Sequence, residues 1–363
     1  PPQWLIPPHV FNSEHDVGRF RDVASGVGLG RTELSGGALV DDFDGDGNLD
    51  VVTSSMGLRD PMRFYHNLGN GRFEDRTRVA GLTGLTGGLN MTHADFDNDG
   101  KKDIFISNGY LRDITDLDFI TGNIAFAEKN QGQNVKNYMK ENAKKMPSIS
   151  KKNVFYKNIG DNTFEDMSNF WLENEPSLSN GAAYADLDND GDLDIVVNNM
   201  NQLAYIYQNQ STNNYLSVKI NGLDQNQLAV GARVELYSNH TKQVLYQNST
   251  RGFQSSSTDI LHFGLGQATK IDSVNVRLGN RKISVKNPKI NQQLTINLSD
   301  AQQANKIPFK TEFLLETLVG KIADDILSSQ TLANKVFVKI TKLHLPIPSF
   351  EGNVSVKIEK SRN

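Results

Sequence analysis

The chain of 363 residues has no cysteine, so neither disulfides nor thiolate metal sites hold it together. It has no apolar run of about 18 residues, the length that would cross a bilayer as a helix. Its opening, PPQWLIPPHVF, shows no basic leader and no long apolar core, so no signal peptide is read there. No stripe of basic residues interleaved with aromatics occurs, which argues against nucleic-acid binding. No G-x-S-x-G elbow is present, and GVGLG at 26–30 lacks the strand and helix that frame a nucleotide loop. Lysine is missing from residues 1–100, which carry eight arginines, whereas residues 101–363 carry 24 lysines and six arginines. Exposed surfaces accept either cation, so the switch is read as the mark of a mosaic chain with a seam near Gly100. With 37% hydrophobic and 22% charged residues and a net charge of −4, the chain suits a globular protein of two or three domains.

What the chain does have is aspartate at fixed spacing. DFDGDGNLD at 42–50 returns as DFDNDGKKD at 95–103 and as DLDNDGDLD at 186–194. Each copy reads D-x-D-x-D-G-x-x-D and runs into an apolar, strand-like stretch: VVTSS, IFISN or IVVNN. A second element follows, FYHNLGNGRFED at 64–75 and FYKNIGDNTFED at 155–166, with a weaker YIYQN at 205–209. It predicts a strand, an Asn/Gly turn and a strand.

Crowded carboxylates repel unless a cation neutralises them. Side chains at positions 1, 3 and 5 of a tight loop converge, and glycine at position 6 permits the turn. A carbonyl near position 7 and the carboxylate at position 9 complete a shell of hard oxygen donors, which points to Ca²⁺. A polar turn without metal is the plain alternative, and three copies in matching context argue against it. An EF-hand is excluded, because position 12 is Thr53, Ile106 or Val197 rather than Glu. Magnesium rarely uses an all-protein cage.

These nonapeptides resemble the FG-GAP/VCBS repeats of integrin-like β-propellers, where they bind Ca²⁺ in the turn between two strands of a blade. The resemblance implies Asp42, Asp44, Asp46 and Asp50 as ligands of the first site. Asp95, Asp97, Asp99 and Asp103 form the second, and Asp186, Asp188, Asp190 and Asp194 the third. Carbonyls of Asn48, Lys101 and Asp192 would complete the three sites. Further on, GARVELY, RGFQSS at 251–256 and LHFGLG at 261–266 together resemble the ASPIC/UnbV domain that follows such repeats in cartilage-acidic-protein-like proteins. In place of that family's Trp-Pro-x-Gly stands LGNR at 278–281.

The expected architecture is mainly β. Residues 1–17 form an extension, 18–215 an incomplete propeller of three or four blades, 216–299 a β-rich ASPIC/UnbV domain, and 300–363 an α/β tail. A closed propeller needs about four to eight blades, so exposed blade edges and self-association are expected. Residues 110–150 are read as a helical insert: Val135, Tyr138, Met139 and Asn142 fall at helical spacing before Pro147. The tail pairs a helical stripe, from Phe313 to Ile326, with strands KVFVKIT and NVSVKIEK. It resembles the C-terminal half of dihydroneopterin aldolase, which implies Glu316 as a pterin anchor and Lys342 as a proton-handling group. A solvated helix face and a surface charge are the plainer readings of these two. His93 and His262 are read as structural.

The function expected from all this is a non-enzymatic, calcium-binding adhesion or recognition module. It holds about three ions, meets a protein or glycan ligand through its blade loops, and lies outside the cell or on its surface. The alternative is pterin aldolase chemistry in the tail.

Overall fold

The computed structural model describes residues 22–303, apart from 32–34, 56, 58–59, 85–87, 89, 114–115, 131–134, 174, 240 and 251–254, together with the strands Lys335–Lys342 and Val354–Ser361. The chain divides into two compact units, Pro1–Ala301 and Gln302–Asn363. Both are described by themselves below.

The first unit opens on a one-turn helix, α1 (Ala24–Val27), and then builds three antiparallel sheets in succession. Strands β1 (Ser35–Asp41), β2 (Asp50–Ser55), β3 (Arg63–Asn67) and β4 (Phe73–Asp75) form the first as a simple meander. Strands β5 (Asn90–Ala94), β6 (Asp103–Ser107), β7 (Val154–Gly160) and β8 (Thr163–Asp166) repeat it. The third has three strands, β9 (Ser179–Ala185), β10 (Asp194–Asn199) and β11 (Tyr205–Tyr207). These are the expected blades. The leading strands lie side by side, β1 against β5 and β5 against β9, so the sheets follow one another face to face.

Register puts every nonapeptide in the same place. Asp41 pairs with Asp50, Ala94 with Asp103, and Ala185 with Asp194. Each acidic loop is therefore the hairpin connection between the first two strands of its blade. Apolar side chains from adjoining blades fill the spaces between sheets. Leu39, Val52, Phe64, Met91, Ile104 and Tyr156 belong to one cluster, and Phe96, Phe105, Phe155, Tyr184, Ile195 and Val197 to the next. The alternation of β2 puts Val52 on the buried face and leaves Val51 half-buried.

The insert between β6 and β7 holds two helices, α2 (Leu117–Lys129) and α3 (Val135–Ala143). Asp116 caps α2 by accepting from the Phe119 N–H at 2.8 Å. Phe126 of α2 stacks flat on Tyr138 of α3, ring centres 3.6 Å apart, and Asn142 donates to Asn123. The expected helical spacing is that of α3; in α2, Ile120 and Ile124 share one helix face and are exposed.

After the blades comes a different all-β unit. Strand β12 (Asn214–Asn221) pairs with β15 (Leu261–Gly266) antiparallel and with β18 (Gln293–Asn297) parallel. Strands β14 (Thr241–Tyr246), β13 (Arg233–Ser238), β16 (Ser273–Leu278) and β17 (Arg281–Lys286) lie in that order beside one another. One continuous cluster, including Leu216, Val218, Val234, Leu236, Phe263 and Val276, packs between them. LGNR is the tight β16–β17 turn, with Gly279 at φ +58° and Leu278 packed against the cluster.

In the second unit Lys335–Lys342 and Val354–Ser361 pair antiparallel, from Lys335↔Ser361 to Lys342↔Val354. Lys342 ends the first of these strands. The stripe from Phe313 to Ile326, with Glu316, lies outside the described residues.

Candidate metal-binding loops

Each hairpin gathers its first three aspartates. Carboxylate oxygens of Asp42, Asp44 and Asp46 lie within 4.8 Å of one another, as do those of Asp95, Asp97 and Asp99, and of Asp186, Asp188 and Asp190. The backbone explains the convergence. The position-6 glycines Gly47, Gly100 and Gly191 stand at φ +92°, +93° and +95°, a left-handed conformation that a Cβ would strain. Each donates its N–H to the position-1 carboxylate: Gly47 to Asp42 at 3.0 Å, Gly100 to Asp95 at 2.8 Å, Gly191 to Asp186 at 3.1 Å. Position 4 is left-handed too, as Gly45, Asn98 and Asn189, the residue types that tolerate it. Position 7 turns its N–H to position 5: Asn48 to Asp46 at 2.7 Å, Lys101 to Asp99 at 2.9 Å, Asp192 to Asp190 at 3.2 Å.

The position-9 carboxylates do something that spacing does not reveal. Asp50, Asp103 and Asp194 are buried, and each reaches back to the position-2 N–H, of Phe43, Phe96 or Leu187. The other oxygen accepts from a backbone N–H one strand over: Asn67, Asn158 or Asn209, all at 2.8–2.9 Å. They thus tie each loop to its own blade. In the first loop Asp50 also groups with Asp44 and His66.

Those same asparagines form a second device. Asn67, Asn158 and Asn209 donate their amides to the position-8 carbonyls of their own loops, Leu49, Lys102 and Leu193. Asn158 also donates to the Phe43 carbonyl of the first loop at 2.9 Å, and Asn209 to the Phe96 carbonyl of the second at 2.6 Å. In the second and third blades this amide therefore also clasps the loop of the blade before it. The repeated Asn of FYHN, FYKN and YIYQN is the sequence signal for this.

The electrostatics call for a cation. Burial raises Asp42, Asp50 and Asp186; like charges on neighbouring aspartates add to the effect at each. Asp95 and Asp103 stand well above the usual carboxylate range, through burial and then through their loop's other carboxylates. Asp192, nearly inaccessible, is raised to about 7 by burial and by Asp190 and Asp194. At neutral pH, carboxylates shifted this way cost folding free energy unless something positive offsets them. Oδ1 of Asp186 is buried, and among the described residues no donor meets it within hydrogen-bonding geometry. Hard oxygen donors gathered on one centre, with a buried carboxylate oxygen to spare, fit Ca²⁺.

His93 sits beside position 1 of the second loop, yet its Nε2 lies 2.7 Å from Asp41 Oδ2, on the neighbouring blade. Burial alone would raise Asp41, but the His93 bond and the charges of His93 and Lys102 outweigh it and hold the carboxyl low. His262 links the all-β unit to the second loop. Its Nε2 lies 2.5 Å from Asn98 Oδ1, its Nδ1 3.2 Å from Ser217 Oγ, and its ring stacks on Tyr215. Beside it a Cβ on Gly264 would come within 2.0 Å of Asp95 Oδ2, so the LHFGLG glycine is what lets β15 lie on the acidic loop.

Comparison with known proteins agrees with this division. A family described as FG-GAP-like repeat matches residues 15–106 and 147–197, and one described as ASPIC and UnbV matches residues 222–303. The chain is 25% identical over 288 residues to Cartilage acidic protein 1 of Mus musculus, covering 72% of this chain and 44% of that protein. It spans less than half the length of that relative. Both family matches end by residue 303, and the likeness of the tail to dihydroneopterin aldolase, which implied roles for Glu316 and Lys342, finds no support.

Proposed function

We propose, for a chain that carries FG-GAP-like repeats followed by an ASPIC and UnbV domain, a calcium-stabilised recognition module that acts outside the cell or on its surface and does no chemistry. The observation that carries this reading is the threefold repetition of one geometry. In each blade, positions 1, 3 and 5 converge, position 6 turns left-handed, and position 9 ties the loop to the blade. Asp42, Asp44 and Asp46, with their counterparts in the other two loops, would hold the ions. A bound divalent charge would offset the burial and the like charges that raise Asp42, Asp95 and Asp186. Extracellular modules bind Ca²⁺ at about 10⁻⁴–10⁻³ M, weak sites kept filled by that compartment.

Recognition itself falls to the blade surface. Phe170 and Ile206 are 81% and 67% exposed and border one cleft of about 720 Å³ with Trp171 and Glu173. Such apolar exposure beside polar side chains suits a protein or glycan ligand, and the short outer strand β11 leaves an edge for self-association.

Calorimetric titration of the chain with Ca²⁺ tests the reading. Saturable heat, competed weakly by Mg²⁺ and abolished by combining Asp44→Asn, Asp97→Asn and Asp188→Asn, is the expected result. A chain that takes up no Ca²⁺ at millimolar concentration, and whose melting ignores chelator, would sink it.

A further inference from the structure

The residue just before the clasp asparagine is different in every blade: His66, Lys157 and Gln208. Its place is the same in all three, because each reaches the position-3 carboxylate of its own loop. His66 Nδ1 lies 3.4 Å from Asp44 Oδ2. The Lys157 ammonium makes an ion pair with Asp97 Oδ2 and stands 3.7 Å from Asp99 Oδ2. Gln208 donates its amide to Asp188 Oδ2 at 2.7 Å.

Neighbouring charges widen the contrast. The second loop has another ammonium, Lys101, 2.9 Å from Asp99 Oδ2. The third loop has instead a fifth carboxylate, Asp192, and among the described residues no ion pair joins it to a lysine, arginine or histidine. Two positive charges thus face four carboxylates in the second loop, and none faces five in the third. Two like charges this close still repel at the effective dielectric of a protein surface. A divalent ion entering the second loop meets that repulsion or must expel the ammonium. Expulsion is not free: Lys157 is only 26% exposed, and its Nζ is held 5.6 Å above the Trp171 ring.

Resting on the calcium reading above, we propose that this position, with the charges beside it, ranks the three loops: the third takes Ca²⁺ first and the first loop, which the Lys102 ammonium reaches at the Asp42 carbonyl, next, while Lys157 serves the second as a resident cation and keeps it weak. The stoichiometry of tight binding is then two, although the sequence shows three copies of the motif.

Two readouts test this on the full chain. In calorimetry the unaltered chain shows two tighter sites and one at least about tenfold weaker. Lys157→Gln brings the weak site into the tight class, Lys157→Arg keeps the original pattern, and Gln208→Lys weakens the third loop by about tenfold. Terbium emission sensitised by Trp171 and lost in both Trp171→Phe and Asp97→Asn reports the second loop. It rises late in the titration of the unaltered chain and early in Lys157→Gln. Three equal sites, indifferent to Lys157→Gln and Gln208→Lys, would overturn the ranking and leave the calcium reading standing. No binding at any site would remove both. The Gln208→Lys arm keeps the proposal open to refutation even where Lys157→Gln disturbs the second blade.

Discussion

The blades and the all-β unit behind them are built from similar strands but held in different ways. In the all-β unit one apolar cluster runs unbroken between β12, β13, β15, β16 and β18, and the hydrophobic effect acts across its whole thickness. The blades are small sheets with separate clusters between them, and each carries an acidic hairpin that adds little more than Phe43, Phe96 or Leu193 to the apolar packing. There the chain relies on directed polar bonds: Asp50, Asp103 and Asp194 within blades, Asn158 and Asn209 between them. Buried carboxylates gather at the same end. Continuous apolar packing gains nothing from a cation, whereas a seam of aspartates is where one would act.

The largest test of that contrast lies in the all-β unit. Leu236 is wholly buried there, and Leu236→Ala should cost about 2–5 kcal/mol. Urea unfolding should return the same loss with calcium and with chelator. A cost that depended on calcium would show that the two regions do not stand apart.

Chelation should act the other way round. For sites of about 10⁻⁴ M in millimolar calcium, mass action contributes roughly 1–2 kcal/mol per ion, or about 2–4 kcal/mol for two tight sites. Hydrogen exchange should then quicken in β1, β2, β9 and β10 and stay nearly constant in β13 and β16. Uniform quickening would mean that the loops hold up the whole unit.

Asn158→Ala should cost about 2–3 kcal/mol, since it removes two buried amide bonds, to Phe43 and Lys102, and strands their carbonyls. The loss should persist with the metal sites saturated, which separates the clasp from the ions.

The last effect, spread over several pH units, is a pH dependence at the junction. Burial lowers His262 from 6.5 to about 4, so between those values the unfolded chain binds a proton that the native chain does not. Stability contributed by the neutral ring is present above about pH 6.5 and is lost as pH falls toward 4, by up to about 2–3 kcal/mol. Urea midpoints across this range should fall more steeply for the unaltered chain than for His262→Gln. Identical slopes would remove His262 from the account.

How legible this was depended on distance along the chain. The loops could be read because their parts lie within nine residues, with the carboxylates at alternate positions and glycine at the turn. Strands β2, β6 and β10 were equally plain, as apolar runs directly after position 9. The left-handed position 4 was there to be read, in Gly45, Asn98 and Asn189. The clasp was not, because Asn158 meets Phe43 across 115 residues. Helix α2 lies within the insert expected to be helical, but its packing on α3, through one aromatic stack and one amide pair, could not be read from spacing.

The sequence by itself determined where oxygen donors converge and which segments extend, because both follow from neighbours along the chain: residue type, alternation and the backbone freedom of glycine. Only the tertiary structure decided that Lys157 would stand over Asp97, that Gly264 would lie against Asp95, and that one amide would join two blades. Those contacts come from stacking separate sheets, and an electrostatic field sums over every charge within a few ångströms, whatever its place in the chain.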